Sequence, residues 1–397
     1  MVLNQSLPRP IAVLFVSTTL NTGGAQRVTS TLLQHIDRQH IQPSLCILRD
    51  DVGFDIPDDV TVTAFDYHRP WHLPRTVSKL RALIEETRPD VVVSNITATN
   101  IVTGMALARC QHRPAWVARI GNDPKRHDGP IRSSLAKRVY PQADRFVVNS
   151  RGLHEAVEDR YPCSRGRIDY LPNPTDFAQI EQDAKSGVET DLEPSVPLCV
   201  AVGRLFKQKR YDVMLDAFAE VRAAMPAQLW ICGEGPERAA LEKRIRRLDL
   251  QDSVKLLGFL PNPHAVVARA TLFLMSSDHE GSPNALIEAQ GLGIPAVSTN
   301  CPYGPDEIIE DQTTGCLVPV GDSSSLAEAA VDLLNAPERL EQMSVAARRT
   351  ARSRFDAIQV TRTWQDFLRG RVCGDKDQPL DVDDNNSHRI PQERFYA

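Results

Sequence analysis

The sequence contains no apolar run that approaches the ~20 residues a helix needs to cross a bilayer. Before Arg9 it has too few apolar residues, and no small-residue cleavage site, to predict a secretory signal peptide. Its eight cysteines lack C-x-x-C spacing, which argues against a zinc site and against a disulfide framework. Internal repeats and low-complexity tracts are missing as well. These absences predict a cytoplasmic protein with reduced thiols.

Basic and acidic residues are divided unevenly along the chain. Residues 1–176 contain 22 Lys and Arg against 18 Asp and Glu, whereas residues 177–397 contain 24 against 33. Because the formal net charge is −5, we expect no nucleic-acid partner. The basic first half is suited to an anionic lipid surface, which predicts peripheral association with the inner face of the cytoplasmic membrane.

Apolar strand segments alternate with helical segments in both halves of the chain. At 397 residues the chain exceeds one typical core, so two domains are expected. The predicted strands are 11–16, 91–93, 116–118 and 146–148 in the first half, and 198–202, 229–232, 254–257, 271–275 and 296–298 in the second. Short apolar strands that alternate with helices are typical of parallel sheets. We therefore predict an α/β protein with two Rossmann-like domains.

The most informative segment, 276–289, contains two glutamates. Glu280 follows a buried strand on a loop, and Glu288 lies two turns into the helix that this loop opens. Ser282 is predicted as the N-cap of that helix and Pro283 as its first residue. Free backbone N–H groups and the positive end of the helix dipole then lie between two carboxylates, which favours an anion such as phosphate. A ligand with phosphate and hydroxyl groups, such as a nucleotide sugar, suits this arrangement.

These two glutamates, with seven residues between them, resemble the signature of the retaining glycosyltransferases of family 4. Other segments follow in the order typical of that family, and the ordered set covers most of positions 11–370. They are 23–28, 203–205 with Lys209, 233–236, 258–259 and 293–297. The resemblance implies the GT-B type of fold, in which two Rossmann-like domains face each other across a cleft. It also implies transfer with retention of anomeric configuration, and neither a bound metal nor another cofactor.

The resemblance assigns a role to each part of the chain. It implies an N-terminal acceptor domain over 1–176, a linker over 177–196 and a C-terminal nucleotide-sugar donor domain over 197–351. A last helix over 352–370 is expected to cross back and pack on the first domain. Residues 371–397 are acidic and poor in apolar residues, which predicts a disordered tail.

Candidate donor-site residues lie on the loops after the second-half strands. Arg204 and Lys209 follow strand 198–202 at its carboxyl end, where they are expected to offset charge on the leaving diphosphate. Glu280 is expected to contact the transferred sugar, and Glu288 to accept hydrogen bonds from the ribose hydroxyls. The residues expected around the phosphates are Gly23, Gly24, Gly281, Ser282 and Asn284. For the charged residues, a solvated surface position is the alternative.

The sequence departs from the family pattern at two positions. Arg119 stands at a strand end where many members have a histidine aimed at the transferred sugar, and we expect Arg119 to line the cleft. Arg210 replaces the glycine that usually follows the lysine, which leaves the backbone conformation there open. Asn173 is interpreted as a hinge residue. The Asp-x-Asp of Asp381 and Asp383 is the metal motif of a different glycosyltransferase fold, but in an acidic tail it is interpreted as solvated charge, so no essential metal is predicted.

The segment 130–140 is the candidate acceptor element, because it combines an apolar face with flanking basic residues. The apolar residues are Ile131, Leu135 and Val139. Such a helix suits a membrane that carries lipid-linked acceptors, and it suits the core of a domain equally well.

Together these inferences predict a retaining glycosyltransferase that moves a sugar from a nucleoside diphosphate sugar to a growing glycan, either lipid-linked through a polyprenyl carrier or a polysaccharide. A UDP-linked donor is favoured, and GDP-mannose is the runner-up. Two other classes stay open: a nucleotide-sugar-binding protein that has lost activity, and a nucleotide-sugar epimerase of the same double-Rossmann plan. A two-carboxylate hydrolase finds no further support in the sequence. The absence of G-x-G-x-x-G after the first strand weakens a dinucleotide-dependent oxidoreductase.

Overall fold

The computed structural model describes residues 9–21, 23–186 and 196–372. The strands of the first half are β1 Ile11–Ser17, β2 Ile41–Ile47, β3 Thr61–Ala64, β4 Val91–Asn95, β5 Ala115–Ile120, β6 Arg145–Val148 and β7 Ile168–Tyr170. They form one parallel sheet in the order β3-β2-β1-β4-β5-β6-β7. The α-helices between them are α1 Gly24–His35, α2 Leu73–Thr87, α3 Ile96–Leu107, α4 Pro124–His127, α5 Pro130–Val139 and α6 Gly152–Arg160.

The second half repeats this plan. Its strands are β8 Leu198–Val202, β9 Gln228–Cys232, β10 Val254–Gly258, β11 Leu272–Met275, β12 Ala296–Thr299 and β13 Gly315–Val318. They form a parallel sheet in the order β10-β9-β8-β11-β12-β13. The helices are α7 Phe177–Lys185, α8 Tyr211–Ala224, α9 Arg238–Arg247, α10 His264–Val267, α11 Asn284–Gly291, α12 Pro305–Ile308, α13 Ser323–Leu334, α14 Pro337–Phe355 and α15 Ala357–Phe367. The predicted pair of Rossmann-like domains is confirmed.

Each predicted strand is present, because the central strands are buried on both faces and therefore have continuous apolar sequences. β4 and β11 are buried along their whole length. Four strands were not predicted, namely β2, β3, β7 and β13. β3 lies at the sheet edge and is mostly exposed, β2 has Pro43 before most of its apolar residues, and β7 has only three residues, so each gives a weaker signal than the central strands.

The chain crosses between the two sheets twice, and the two crossings lie side by side. The amide of Thr175 donates to the carbonyl of Phe355 at 2.8 Å, and the amide of Ala357 donates to the carbonyl of Thr175 at 3.0 Å. After the first crossing, α7 packs Phe177 and Ile180 into the core of the second half. The interval 177–196, predicted as a linker, therefore begins with a helix.

The second crossing separates two helices where the sequence predicted one. α14 ends at Phe355, and the side chain of Asp356 accepts hydrogen bonds from the first amides of α15. α15 then packs Val360, Trp364 and Phe367 against the core beside β1 and α1 of the first sheet. In the described part of the chain, no helix is both long and apolar enough to cross a membrane. Residues 373–397, including the predicted tail with Asp381 and Asp383, lie outside the described residues.

Candidate active site

The candidate site lies where the strand order reverses in both sheets. β1 lies between β2 and β4, and β8 lies between β9 and β11. At such points the loops at the carboxyl ends diverge and leave a crevice, which is the usual ligand site of open α/β sheets. Gly23 and Gly24 follow β1, Arg204 and Lys209 follow β8, and Glu280 follows β11. The predicted residues therefore converge on the two crevices.

Lys209 and Glu280 form an ion pair at the carboxyl end of the second sheet. The Nζ atom of Lys209 lies 2.5 Å from Oε1 of Glu280. A single 3₁₀ turn, Lys207–Lys209, presents the lysine, and Oγ of Ser276 donates to its carbonyl oxygen at 2.8 Å. The amide of Glu280 donates to the carbonyl of Pro302 at 2.8 Å. Both backbones are thus fixed, so the site offers one ammonium and one carboxylate in defined positions.

Arg204 lies apart from this pair on the exposed side of the same loop. Its guanidinium carbon is 4.8 Å from the ring centroid of Phe206, an arrangement that favours the cation electrostatically. Leu205 is fully buried, and its amide donates to the carbonyl of Glu234 at 2.9 Å. The loop is therefore anchored at Leu205, while the side chain of Arg204 is exposed at the surface.

Arg210 has the left-handed backbone conformation that glycine adopts without strain. Its φ and ψ angles are 47° and 42°, and a non-glycine residue there costs about 1–2 kcal/mol. Its guanidinium contacts the carboxylates of Asp212 at 3.1 Å and Asp278 at 3.0 Å. The hydrogen bond to Asp212 is the main reason why the pKa of Arg210 is raised. These contacts offset the strain and tie the lysine loop to the glutamate loop, so the missing glycine does not displace Lys209.

The helix after Glu280 begins one residue later than the sequence predicted. α11 starts at Asn284, and its N-cap is Pro283, so the assignment of Ser282 as the N-cap is wrong. Pro283 has the extended backbone typical of an N-cap, and its carbonyl accepts from the amides of Leu286 and Ile287. The amides at the start of α11 have no intrahelical acceptor, which makes this end of the helix a position for an anion.

A chain of side-chain hydrogen bonds joins the first sheet to the start of α11. Nη2 of Arg119, at the end of β5, donates to Oδ1 of Asn173 at 2.6 Å. Nδ2 of Asn173 donates to Oδ1 of Asn284 at 2.6 Å, and Nδ2 of Asn284 donates to the carbonyl of Gly24 at 3.3 Å. Asn173, interpreted as a hinge residue, therefore lies at the centre of an interdomain network.

Arg119 lies beneath the cleft floor and is held there by Asn173. It is 2 % exposed, and burial lowers the pKa of its guanidinium to about 10. Its Nε has no hydrogen-bond partner. The expectation that Arg119 lines the cleft is therefore wrong, because its guanidinium is buried and held by Asn173.

Glu288 is buried between a cation from the first half of the molecule and a histidine from the second half. It is 7 % exposed, with Oε1 at 3.5 Å from Nη1 of Arg27 on α1 and Oε2 at 3.2 Å from Nε2 of His264 on α10. Burial by itself raises the pKa of Glu288, but the Arg27 charge and the His264 hydrogen bond outweigh it and lower that pKa to about 2. Glu288 is therefore an ionised acceptor for hydroxyl donors.

Glycines allow the two halves to approach each other closely. A Cβ atom on Gly281 would lie 1.9 Å from the carbonyl oxygen of Gly121, so only glycine fits at that contact. Gly23 has a φ angle of 117° at the N-cap of α1, a conformation that L side chains rarely adopt. A Cβ atom on Gly24 would lie 3.2 Å from Nδ2 of Asn284. Gly24 thus lies at the junction between the β1 loop and α11, whereas Gly281 meets the loop after β5.

A second interdomain contact lies beside the first. The amide of Gly152, the first residue of α6, donates to Oε1 of Glu307 at 3.2 Å, and Tyr303 lies against Gly152. Burial raises the pKa of Glu307 to about 7 although this hydrogen bond opposes the shift. The segment around Tyr303 therefore lies at the domain interface.

The candidate acceptor helix, α5, does not present the single apolar face that the sequence suggested. Val139 is buried, Leu135 is half-buried against the core, and Ile131 is 76 % exposed. The buried face consists of Ser133, Ala136 and Val139, which leaves Ile131 on the surface with the basic residues.

Sequence reasoning missed two residues that contact the predicted site, Arg27 and His264. Arg27 lies within the 23–28 motif, so its position near a ligand could have been suspected. His264 could not be predicted from the sequence, because no local pattern around it indicates a contact with Glu288, 24 residues further along the chain. Within the described residues, no group of three or more His, Cys, Asp or Glu side chains is arranged to hold a metal ion.

Two family models match this chain. The model for Glycosyltransferase Family 4 matches residues 22–179, and the model for Glycosyl transferases group 1 matches residues 187–350. Together they cover both halves of the cleft, and each includes the loops described above.

Curated relatives are similar over most of their length. One is the N-acetylgalactosamine-N,N'-diacetylbacillosaminyl-diphospho-undecaprenol 4-alpha-N-acetylgalactosaminyltransferase of Campylobacter jejuni, 25 % identical over 89 % of this chain and 98 % of that enzyme. Another is the lipopolysaccharide core biosynthesis glycosyltransferase LpsD of Rhizobium meliloti, 29 % identical over 73 % of this chain and 78 % of that enzyme.

Among solved structures, Anabaena Alr3699/HepE in complex with UDP and glucose superimposes with a TM-score of 0.73 at 18 % identity, over 90 % of this chain and 99 % of that one. The lipopolysaccharide outer core galactosyltransferase WaaB matches with a TM-score of 0.71 at 20 % identity, over 91 % and 100 %. The fold is thus the GT-B type that the sequence predicted. With both family models matched in order along the two sheets, the chain belongs to the family 4 glycosyltransferases.

Proposed function

We propose that this glycosyltransferase transfers a sugar, with retention, from a nucleoside diphosphate sugar to a growing bacterial surface or lipid-linked glycan. A UDP-sugar is the favoured donor and GDP-mannose is second. The Lys209–Glu280 pair, at 2.5 Å beside the start of α11, is the observation that carries the proposal. It combines a cation for a phosphate with a carboxylate for a sugar hydroxyl.

The donor diphosphate is proposed to lie between the lysine loop and the start of α11. Charge grows on the departing diphosphate during transfer, and fixed cations and N–H dipoles stabilise that charge. Lys209 and Arg204 supply the cations, and Gly281, Ser282 and Asn284 surround the phosphate at the helix start. This set offsets the charge without a divalent metal, so we propose transfer that needs neither a metal nor another cofactor.

The sugar and the ribose are assigned to the two glutamates. Glu280 accepts from a hydroxyl of the transferred sugar, while Glu288 accepts from the ribose hydroxyls. Arg119 acts on the sugar side through Asn173, and Gly23 and Gly24 let the β1 loop approach the donor. We propose that the leaving phosphate assists the incoming hydroxyl on the face from which it departs, without a covalent intermediate on the enzyme.

The names of the relatives support the choice of donor and acceptor. The Campylobacter relative is named for a diphospho-undecaprenol acceptor, LpsD for lipopolysaccharide core synthesis, and HepE was solved with UDP. We propose by analogy a UDP-sugar donor and a polyprenyl-linked glycan acceptor.

We propose a cytoplasmic enzyme that associates peripherally with the inner face of the membrane. On α5, exposed Ile131 is accompanied by exposed basic residues, a pattern suited to anionic lipid. The basic residues are Arg132, Lys137 and Arg138. Sedimentation with vesicles of anionic lipid should weaken in Ile131→Glu, and equal binding by both proteins would remove α5 from the membrane contact.

A donor screen tests the proposed function. Purified protein is incubated with UDP-, GDP-, ADP- and TDP-sugars and a polyprenyl-diphosphate glycan, with and without EDTA. Free UDP should appear with a lengthened glycan in both conditions, and NMR of the product should show the donor's anomeric configuration. Release of an epimerised nucleotide sugar, or binding without any turnover, would overturn the proposal. Loss of transfer in EDTA would contradict the metal-independent mechanism.

A further inference from the structure

We propose that His264, held by Asp183, is a positioning residue that sets Glu288 for recognition of the ribose hydroxyls. The inference rests on the proposed function, because it takes Glu288 as the ribose contact. It adds two residues, from α10 and α7, to the donor site. Neither residue would itself touch the substrate.

His264 connects two carboxylates that belong to different elements. Its Nε2 lies 3.2 Å from Oε2 of Glu288, and its Nδ1 lies 3.2 Å from Oδ2 of Asp183 on α7. The histidine is 3 % exposed, so neither nitrogen can be satisfied by bulk water. Because Asp183 holds one side of the ring, the other nitrogen faces Glu288, and it donates to that carboxylate whenever it carries a proton.

The backbone around His264 is tied to α7 as well. The amide of His264 donates to Oδ1 of Asn262 at 3.1 Å, and Nδ2 of Asn262 donates to the carbonyl of Asp183 at 2.7 Å. The same Nδ2 lies 2.8 Å from Oγ of Ser186. This arrangement fixes the ring by its backbone and its side chain, as a positioning residue requires.

Arg27 and His264 contact Glu288 from different domains, and this difference separates their roles. Arg27 belongs to the first domain, so its 3.5 Å contact depends on how the two domains face each other. His264 lies in the same domain as Glu288, so its contact persists if the cleft opens. We infer that His264 keeps the carboxylate oriented while the nucleotide enters.

The remaining acceptor capacity of Glu288 fits a vicinal diol. An ionised carboxylate has about four lone-pair positions. Arg27 uses a position on Oε1 and His264 one on Oε2, which leaves one position on each oxygen for two hydroxyls. If His264 is lost, the carboxylate rotates toward Arg27 and the paired hydroxyls are no longer matched.

Removal of one ribose hydroxyl from the nucleotide directly measures how well Glu288 is positioned for the ribose. Isothermal titration calorimetry compares UDP with 2'-deoxy-UDP, and one hydrogen bond to a charged acceptor corresponds to a preference of roughly 10- to 100-fold for UDP. We expect His264→Asn, which retains an N–H toward Asp183 but cannot reach Glu288, to reduce this preference to less than about 3-fold. His264→Gln places an N–H near the position of Nε2 and should restore most of the preference.

Asp183→Asn provides a second variant on a half-exposed surface, in case the buried substitution prevents folding. It should reduce the preference partially. If wild-type protein prefers UDP while His264→Asn and Asp183→Asn keep the full preference, the positioning role is wrong and the proposed function stands. If wild-type protein binds UDP without any preference over 2'-deoxy-UDP, the ribose assignment of Glu288 fails, and with it this inference. Absence of both nucleotide binding and transfer would contradict the proposed function itself.

Discussion

At the residue scale, two carboxylates organise the contacts of the proposed donor site. Lys209 pairs with Glu280, and Glu288 is held by Arg27 and His264. Both carboxylates are largely buried, so an unpaired charge on either of them would be costly. A nucleotide sugar would bring its own negative phosphates and neutral hydroxyls, which explains why cations and acceptors alternate along the site.

Loss of the lysine should impair turnover more than binding. We expect Lys209→Ala to lower kcat by ~10²-fold, because it removes a charge that stabilises the leaving diphosphate in the transition state. Steady-state kinetics with the preferred donor measures this. Lys207→Ala is the matched control, since Lys207 lies on the same turn and is exposed. Equal kcat values for the two variants would remove Lys209 from the reaction.

The ionisation of Glu288 predicts a pH dependence of stability. Its pKa is lowered from 4.5 to about 2, so its contribution is present above pH 4.5 and is lost as the pH falls toward 2. The shift corresponds to about 3 kcal/mol. We expect the stability difference between wild type and Glu288→Gln in urea to shrink between pH 6 and pH 3. Glu341→Gln, an exposed residue of α14, should show a constant difference, and parallel profiles for both variants would contradict the prediction.

At the scale of elements, the start of α11 is attached to the first domain by side chains. Asn173 follows β7, Asn284 begins α11 and Arg119 ends β5, and their hydrogen bonds run in series. Asn173 therefore contacts a buried guanidinium and the first residue of α11 at the same time. Replacement of Asn173 removes the acceptor of a buried guanidinium, whereas replacement of Asn284 removes the contacts to Asn173 and to the carbonyl of Gly24.

A double-mutant cycle tests this coupling. Asn173→Ala should destabilise the fold by about 1–3 kcal/mol, because the buried Arg119 loses its acceptor. Asn284→Ala should cost less, since its position is partly solvated. Urea denaturation of the two single variants and the double variant should give a coupling energy of about 0.5–1.5 kcal/mol. Strict additivity would mean that the 2.6 Å contact between them contributes nothing to stability.

The sequence predicted elements well where one face or both faces were apolar. The central strands β4, β8 and β11 and the position of Glu280 follow from local patterns that need no partner. Edge strand β3 was missed because its residues are mostly exposed. The break at Asp356 was missed because it depends on pairing with Thr175 in the other crossing.

The contacts of the candidate site were harder to predict than the strands. Glu288 could be placed on a helix, but its partners Arg27 and His264 come from helices of different domains. Their proximity follows from how two sheets face each other, which no periodicity in the chain encodes. The Ser282 N-cap failed by one residue for a local reason, since Pro283 adopts the extended conformation of the cap itself.

At the scale of the whole molecule, the two domains are joined by paired crossings and by contacts across the cleft. The crossings pair at Thr175 and Asp356, and the cleft contacts include Gly281 with Gly121 and Glu307 with Gly152. The proposed donor residues lie on one side and the β1 loop on the other. We therefore expect catalysis to depend on the distance between the domains as well as on the residues within each.

The contact between Gly281 and Gly121 allows us to test whether catalysis depends on the distance between the domains. A Cβ atom at position 281 would lie 1.9 Å from a backbone oxygen of the first domain, so Gly281→Ala must push the two loops apart. A displacement of about 1 Å at a reacting centre can cost ~10²-fold in rate, so we expect kcat to fall by that order. The Kd for UDP should change by less than about 3-fold, because the added methyl group faces Gly121 of the first domain and the other proposed nucleotide contacts, Lys209 and Glu288, are unchanged. That separation of kcat from Kd distinguishes a domain effect from loss of the donor site.

Gly129→Ala is the matched control, because that glycine has a φ angle of −62° and open space around its Cβ position. Gly129→Ala should leave kcat and the Kd for UDP unchanged. A Gly281→Ala enzyme with wild-type kcat would show that the loops can separate without consequence, and the close approach of the domains would then have no part in turnover. A parallel loss of UDP binding would instead mean that the substitution disrupts the glutamate loop itself. Because the two glycines differ in their surroundings and receive the same methyl group, the comparison isolates the contact between domains.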